Sequence, residues 1–184
     1  MLKRALLSLS LLAAGPSLAH AAGMTIISPD IAPNAKMAEE QVANGFGCAG
    51  GNISPALSWA GAPTGTKSFA ITMYDPDAPT GSGFWHWTMF NIPASVTTLA
   101  KGAGNAKSAA LPKGALQVRG DAGAVGYFGM CPPTGDKPHH YKITVFAVDV
   151  EKLDADESVS PAVIGFNLHF HTLGKATLTG LYGR

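Results

Sequence analysis

Charge is scarce in this sequence. Asp, Glu, Lys and Arg together make up 14% of its 184 residues, and 13 basic against 12 acidic side chains leave a formal net charge of +1. Nucleic acid and anionic membrane surfaces both call for clustered basic residues, so neither is expected as a partner. Beyond the N-terminal region there is no apolar run near the roughly 20 residues that a membrane-spanning helix needs. Gly-x-Ser-x-Gly, His-Glu-x-x-His and paired Cys-x-x-Cys are all missing. A hydrolase elbow, a zincin helix and a zinc ribbon are therefore not indicated. Cysteine occurs only twice, at Cys48 and Cys131, and neither an internal repeat nor a low-complexity linker is present.

The chain does have a leader. Lys3 and Arg4 precede an apolar stretch over residues 5–14, Gly15-Pro16 breaks it, and Ala19-His20-Ala21 follows. This is the pattern of an export signal over residues 1–21, cleaved after Ala21 or Ala22. Its apolar part is too short to span a bilayer. The expected product is a periplasmic or secreted bacterial protein with no transmembrane segment. Residues 22–184 then form a single domain of about 160 residues, long enough for a real core. Loss of Lys3 and Arg4 leaves 11 basic and 12 acidic residues, a formal charge of −1. Low charge with 22 Gly and 13 Pro suits a loop-rich, mainly β protein with few helices. In an exported chain an even cysteine count suggests a Cys48–Cys131 disulfide. It would close a loop of about 80 residues and restrict the unfolded chain by roughly 4 kcal/mol. Two separate buried thiols are the alternative.

Two stretches share one grammar. In residues 68–91, Phe69, Ile71 and Met73 alternate with small or polar residues, as in a half-buried strand. Asp75-Pro76-Asp77-Ala78-Pro79 then stops the strand, because its prolines lack the backbone donor. Gly81-Ser82-Gly83 completes the loop, and an aromatic-rich strand follows with His86 near its start. Residues 126–149 repeat the design: a Gly/Pro loop with Cys131-Pro132-Pro133, the pair His139-His140, then a strand. Tyr141, Ile143, Val145 and Ala147 share one face of that strand, and His139 projects to the same side as Tyr141. Two such loops meeting at one sheet end would form a small rigid polar pocket.

The remaining segments read as supports. Short strands are expected at residues 57–60, 96–99 and 115–118, and residues 102–112 form a Gly/Ala/Ser loop with little to pack, hence mobile. Ser160 and Pro161 open a helix as N-cap and first residue. Val163, Phe166, Leu168 and Phe170 give its apolar face, and Gly174 supplies a stop. His169 and His171, two apart on that helix, diverge and read as surface or capping residues. Residues 176–182 close the chain as an extended segment.

Asp-Pro-Asp-Ala-Pro followed by Trp-His-Trp-Thr-Met-Phe-Asn, then Cys-Pro-Pro-Thr-Gly-Asp-Lys-Pro-His-His-Tyr and a closing His-Thr-Leu-Gly-Lys-Ala-Thr-Leu-Thr-Gly-Leu-Tyr-Gly-Arg, resembles the phosphatidylethanolamine-binding proteins. The similarity is greatest to the bacterial branch labelled Raf kinase inhibitor-like, and it covers nearly all of the chain after residue 24. It implies an antiparallel β-sheet sandwich with a C-terminal helix and a small anion pocket. It assigns the ligand-binding positions to Asp75, Asp77, His86, Pro132, Pro133, His139 and Tyr141. By the same resemblance, Arg119 and Asp121 brace the loop before Gly126. The sequence departs from the family pattern at His140, where Arg is usual, and at Met130, where many members have Pro.

The implied ligand is a small anion or zwitterion: phosphate or a phosphoethanolamine head group. Tyr hydroxyl, imidazole and loop N–H groups would hold the phosphate, and a carboxylate, with Asp75 favoured over Asp77, would meet the ammonium. No cofactor and no resident metal are expected, although His86, His139 and an Asp form a chemically reasonable ligand set. A protein partner of unknown identity remains open. The competing reading is an acid/base hydrolase, esterase-like, using the same Asp and His residues, because adjacent carboxylate and imidazole tune each other's pKa. Binding is favoured over catalysis.

Overall fold

The computed structural model describes residues 23–184; the export signal expected over residues 1–21 lies outside them. The strands are β1 (Thr25–Ile27), β2 (Asn44–Gly45), β3 (Cys48–Ala49), β4 (Leu57–Ala60), β5 (Ser68–Asp75), β6 (Phe84–Pro93), β7 (Thr98–Leu99), β8 (Leu116–Gln117), β9 (His139–Val148) and β10 (Thr172–Tyr182). One α-helix, α1 (Pro161–His171), occurs among the described residues. The protein is thus mainly β. A five-stranded sheet runs β10-β9-β5-β6-β8, a three-stranded sheet runs β1-β4-β7, and β2-β3 is a small hairpin. All of these pairings are antiparallel.

The large sheet is covered on both faces. On one, Ile71, Met73, Trp87, Met89, Ile143 and Val145 belong to the main core, together with Leu57 and Trp59 from the three-stranded sheet. On the other, Ala70, Phe90 and Val148 pack with Ile164 and Leu168 of α1 and with Leu153. The expected half-buried alternation of β5 is therefore only half the story: Ala70 is fully buried too, because α1 and the segment before it lie over that face.

The helix starts where Ser160-Pro161 predicts, although the Ser160 side chain makes no capping bond. Its buried residues are Pro161, Ile164 and Leu168, while Val163, Phe166 and Phe170 are exposed. Both sets have the i, i+3, i+7 spacing of a helical stripe, so spacing alone does not say which one faces inward. The expected stop at Gly174 comes early as well. The helix ends at His171 and runs directly into β10, where Gly174 sits at a register shift and its Cα meets Pro63 closely enough that a Cβ would lie 2.9 Å from the proline ring. The helix lies near the C-terminus as expected, and β10 follows it and pairs along the whole of β9. The loop over residues 102–112 is also not the loose segment its composition suggests. Ala103 and Gly104 are buried, the Gly104 N–H donates to Ser54 Oγ at 2.9 Å, and its carbonyl accepts from the Tyr127 N–H.

Candidate functional site

Register brings the two loops together. β5 is paired on one side with β6 and on the other with β9, so Asp75 lies opposite Phe84 and Tyr74 opposite Lys142. The end of β5 and the beginnings of β6 and β9 therefore coincide at one edge of the sheet. Alternation along the strands then turns His86, His139 and Tyr141 to the same face.

That edge carries a cavity of about 250 Å³. Its polar floor is Asp75, His86, His139 and Tyr141, each nearly or wholly buried. Pro132 and Pro133 form one wall as expected, and Ala78, Pro79 and Thr80 of the acidic loop form another. That loop is pinned by Gly83, at φ 68°, where a Cβ would collide with the Tyr74 hydroxyl. Phe46, Phe84 and Phe128 complete an apolar rim.

Ala78, Pro79, Thr80 and the rim phenylalanines are pocket residues that sequence reasoning did not assign to the site. Phe46 is displayed at the tip of the β2–β3 hairpin at φ 51°, between two glycines and edge-on to Phe128 at 5.4 Å. An exposed aromatic in a Gly-Phe-Gly turn just before Cys48 was the available signal. The disulfide between Cys48 and Cys131 joins this hairpin to the proline wall. Arg184 spans the same gap, with Nε donating to the Pro132 carbonyl at 2.7 Å and Nη1 to that of Gly47 at 2.9 Å.

The two aspartates do different things. Asp75 Oδ1 accepts the Asp77 N–H at 2.8 Å and Oδ2 lies 2.7 Å from His139 Nδ1. Asp75 thus both closes its own loop and holds a pocket histidine. Asp77 lies outside the cavity, in a neighbouring recess, where Oδ2 accepts from the His140 N–H at 2.7 Å and meets its Nδ1 at 2.8 Å. His140, in the place where the family usually has Arg, accordingly faces away from the ligand side. Burial pushes the Asp77 carboxyl up, but the His140 amide and ring outweigh it and hold the group below the usual range.

His86 and His139 are tuned in opposite directions. Burial drives the His86 pKa below the ordinary imidazole value, against the Phe128 carbonyl and the Asp75 charge. His139 is buried as well, which lowers its affinity for a proton, yet the Asp75 and Asp136 carboxylates more than offset that and raise its pKa. Both ring nitrogens of His139 face carboxylates, Nδ1 that of Asp75 and Nε2 that of Asp136 at 3.3 Å. Tyr141 has a buried hydroxyl with no hydrogen-bond partner among the described residues. Burial, with the Asp75 charge next, pushes its pKa up and keeps the hydroxyl protonated.

The segment behind His86 is fixed at several points. The Phe128 N–H donates to the His86 carbonyl, the Gly129 N–H to Asn52 Oδ1 and the Tyr127 hydroxyl to the Gln41 carbonyl. Arg119 and Asp121 brace this region separately rather than as a pair: Arg119 bonds the Gly123 carbonyl, and Asp121 Oδ2 accepts the Trp85 N–H.

Residues 27–183 match the family profile described as "Phosphatidylethanolamine-binding protein". The UPF0098 protein YbcL of Escherichia coli is 49% identical over 164 residues, 89% of this chain and 90% of that protein. Its crystal structure, described as that of a member of the mammalian PEBP family, superposes with a TM-score of 0.86 at 48% identity, covering 89% of this chain and 99% of the other. A Mycobacterium tuberculosis relative named as a lipoprotein, LppC, is 35% identical over 127 residues, 69% of this chain and 56% of that one.

Proposed function

The chain belongs to the phosphatidylethanolamine-binding protein family, and from that premise we propose that its pocket binds the phosphoryl head of a small ligand, of the phosphate or phosphoethanolamine type. One observation carries the reading: Tyr141, whose buried hydroxyl has no partner among the described residues, lines the same cavity as His86, His139 and Asp75. An unsatisfied buried hydroxyl costs about 1–3 kcal/mol, which a ligand oxygen would recover. The proline and phenylalanine rim offers a dry surface to whatever organic group the phosphoryl carries.

The roles are unequal. His86 and Tyr141 contact the ligand, whereas Asp75 positions His139 through Oδ2 while Oδ1 closes the acidic loop. Asp77 and His140 buttress the outside of the acidic loop. Calorimetric titration with phosphoethanolamine tests the reading: binding in the wild type, lost in His86→Ala and in Asp75→Ala. Unchanged affinity in both variants contradicts it.

Export belongs to the same proposal. The N-terminal signal pattern, the disulfide and a relative named as a lipoprotein support delivery to an oxidising compartment. There the protein would not meet a cytosolic kinase, so ligand binding rather than kinase inhibition is its role. Fractionation of expressing cells, with the mature N-terminus sequenced, is the check.

A further inference from the structure

The hydrogen-bonding groups on the pocket floor restrict the form in which a phosphoryl ligand fits. His86 Nδ1 lies 3.0 Å from the Phe128 carbonyl oxygen and 3.1 Å from that of Gly129. Carbonyls only accept, so this nitrogen carries a proton whether the ring is neutral or charged. The other nitrogen, Nε2, has no partner among the described residues and is the one left for a ligand in the cavity His86 lines. In a neutral ring Nε2 is an acceptor.

The charged and titratable groups facing this ring are Asp75 from the end of β5, Tyr141 from β9 and Asp121 from the loop after β8. The segment through Phe128 and Gly129 presents two carbonyls and the Phe128 ring to it, none of them titratable. Burial wins over the two carboxylates and favours the neutral ring. Among the described residues no Lys or Arg lines the cavity. Its one cationic candidate, His139, is taken up by Asp75 and Asp136.

Two groups on the floor have no partner among the described residues: one acceptor, His86 Nε2, and one hydroxyl, that of Tyr141. A fully ionised phosphate only accepts, so one of its oxygens would face the Nε2 lone pair with nothing between them. A phosphate that keeps one proton complements both groups. On the phosphoryl-binding reading above, we propose that the pocket selects a phosphomonoester in its monoanionic form, whose P–OH donates to His86 Nε2 while another phosphoryl oxygen accepts from Tyr141. Phosphodiesters, including the intact phosphatidylethanolamine head group, lack that proton and are discriminated against. Free phosphate, phosphoethanolamine and phosphatidic acid share the chemistry that fits.

Titrations from pH 6 to pH 8 with phosphoethanolamine and with its diester analogue glycerophosphoethanolamine test this, joined by 15N NMR of His86. A phosphomonoester loses its last proton near a pKa of about 6. Its affinity should fall more than tenfold over the range, the diester should bind at least tenfold more weakly than the monoester at pH 6, and His86 should stay neutral and Nδ1-protonated in the complex. Inorganic phosphate and phosphatidic acid vesicles, run alongside, tell a free phosphate from a lipid source. A His86 imidazolium in the complex, a monoester affinity flat across the range, or equal binding of the diester overturns the proposal while leaving phosphoryl binding intact. Absence of binding by every phosphate compound at every pH removes both.

Discussion

At the scale of single residues, the two pocket histidines store opposite pH dependences. The folded pKa of His139 is raised, so its contribution to stability is complete below the unfolded imidazole value, about 6.5, and fades as pH rises through the folded value. The folded pKa of His86 is lowered, so the unfolded chain takes up that proton first, and its contribution is present above about 6.5 and lost as pH falls. In the wild type these trends oppose each other. Chemical denaturation at several pH values should separate them: the excess stability of wild type over His139→Gln shrinks from pH 6 to pH 9, and that over His86→Gln shrinks from pH 8 to pH 5. Trends in the opposite sense would mean that the proton positions argued for this site are wrong. The sequence exposes these side chains as chemistry because histidine next to Gly/Pro loops needs explaining. It does not expose the division of labour between Asp75 and Asp77, which depends on which carboxylate the turn directs inward and which one reaches His140.

At the scale of elements, strands were more legible than the helix. β5, β6 and β9 carry period-2 patterns bounded by Pro and Gly, and they begin and end within a few residues of where those signals place them. The helix offers two apolar stripes of equal spacing, and only the arrival of β5 and β6 beneath it selects Ile164 and Leu168. Glycines show the same dependence on context. Gly165 lies within α1 with nothing near its missing side chain, so Gly165→Ala should raise stability by about 0.5–1 kcal/mol. Gly129 packs against another backbone: a Cβ there would lie 2.1 Å from the Gln41 carbonyl and 2.5 Å from the Ala43 nitrogen. Gly129→Ala should cost about 1–3 kcal/mol, as overpacking does. It should also weaken ligand binding, because the Gly129 carbonyl orients His86. Urea midpoints for the two variants check both signs, and equal shifts in the same direction would refute the contrast.

At the scale of the molecule, the pocket is the seam between a rigid sheet edge and two loops that the sheet does not own. β5, β6 and β9 supply the floor through their register, but the Phe46 hairpin and the Pro132 wall are held to one another from outside by the Cys48–Cys131 bond and by Arg184. The cysteine pairing was legible from an even count in an exported chain; the Arg184 bridge was not, since nothing local marks a residue 52 positions away from the carbonyl it binds. Because the cysteines are 83 residues apart, the bond removes a large part of the unfolded chain's freedom, worth about 4 kcal/mol. Its replacement by Cys48→Ser with Cys131→Ser should therefore lower unfolding stability by about that amount. Ligand affinity should change much less, because Arg184 still spans the two walls. Adding Arg184→Ala to the pair should then release the hairpin, and phosphoethanolamine affinity should drop at least tenfold with little further loss of stability. Affinity abolished by the serine pair alone would place the whole of the clamp in the disulfide; affinity retained in the triple variant would mean that the sheet edge suffices and the outer walls do not shape the site.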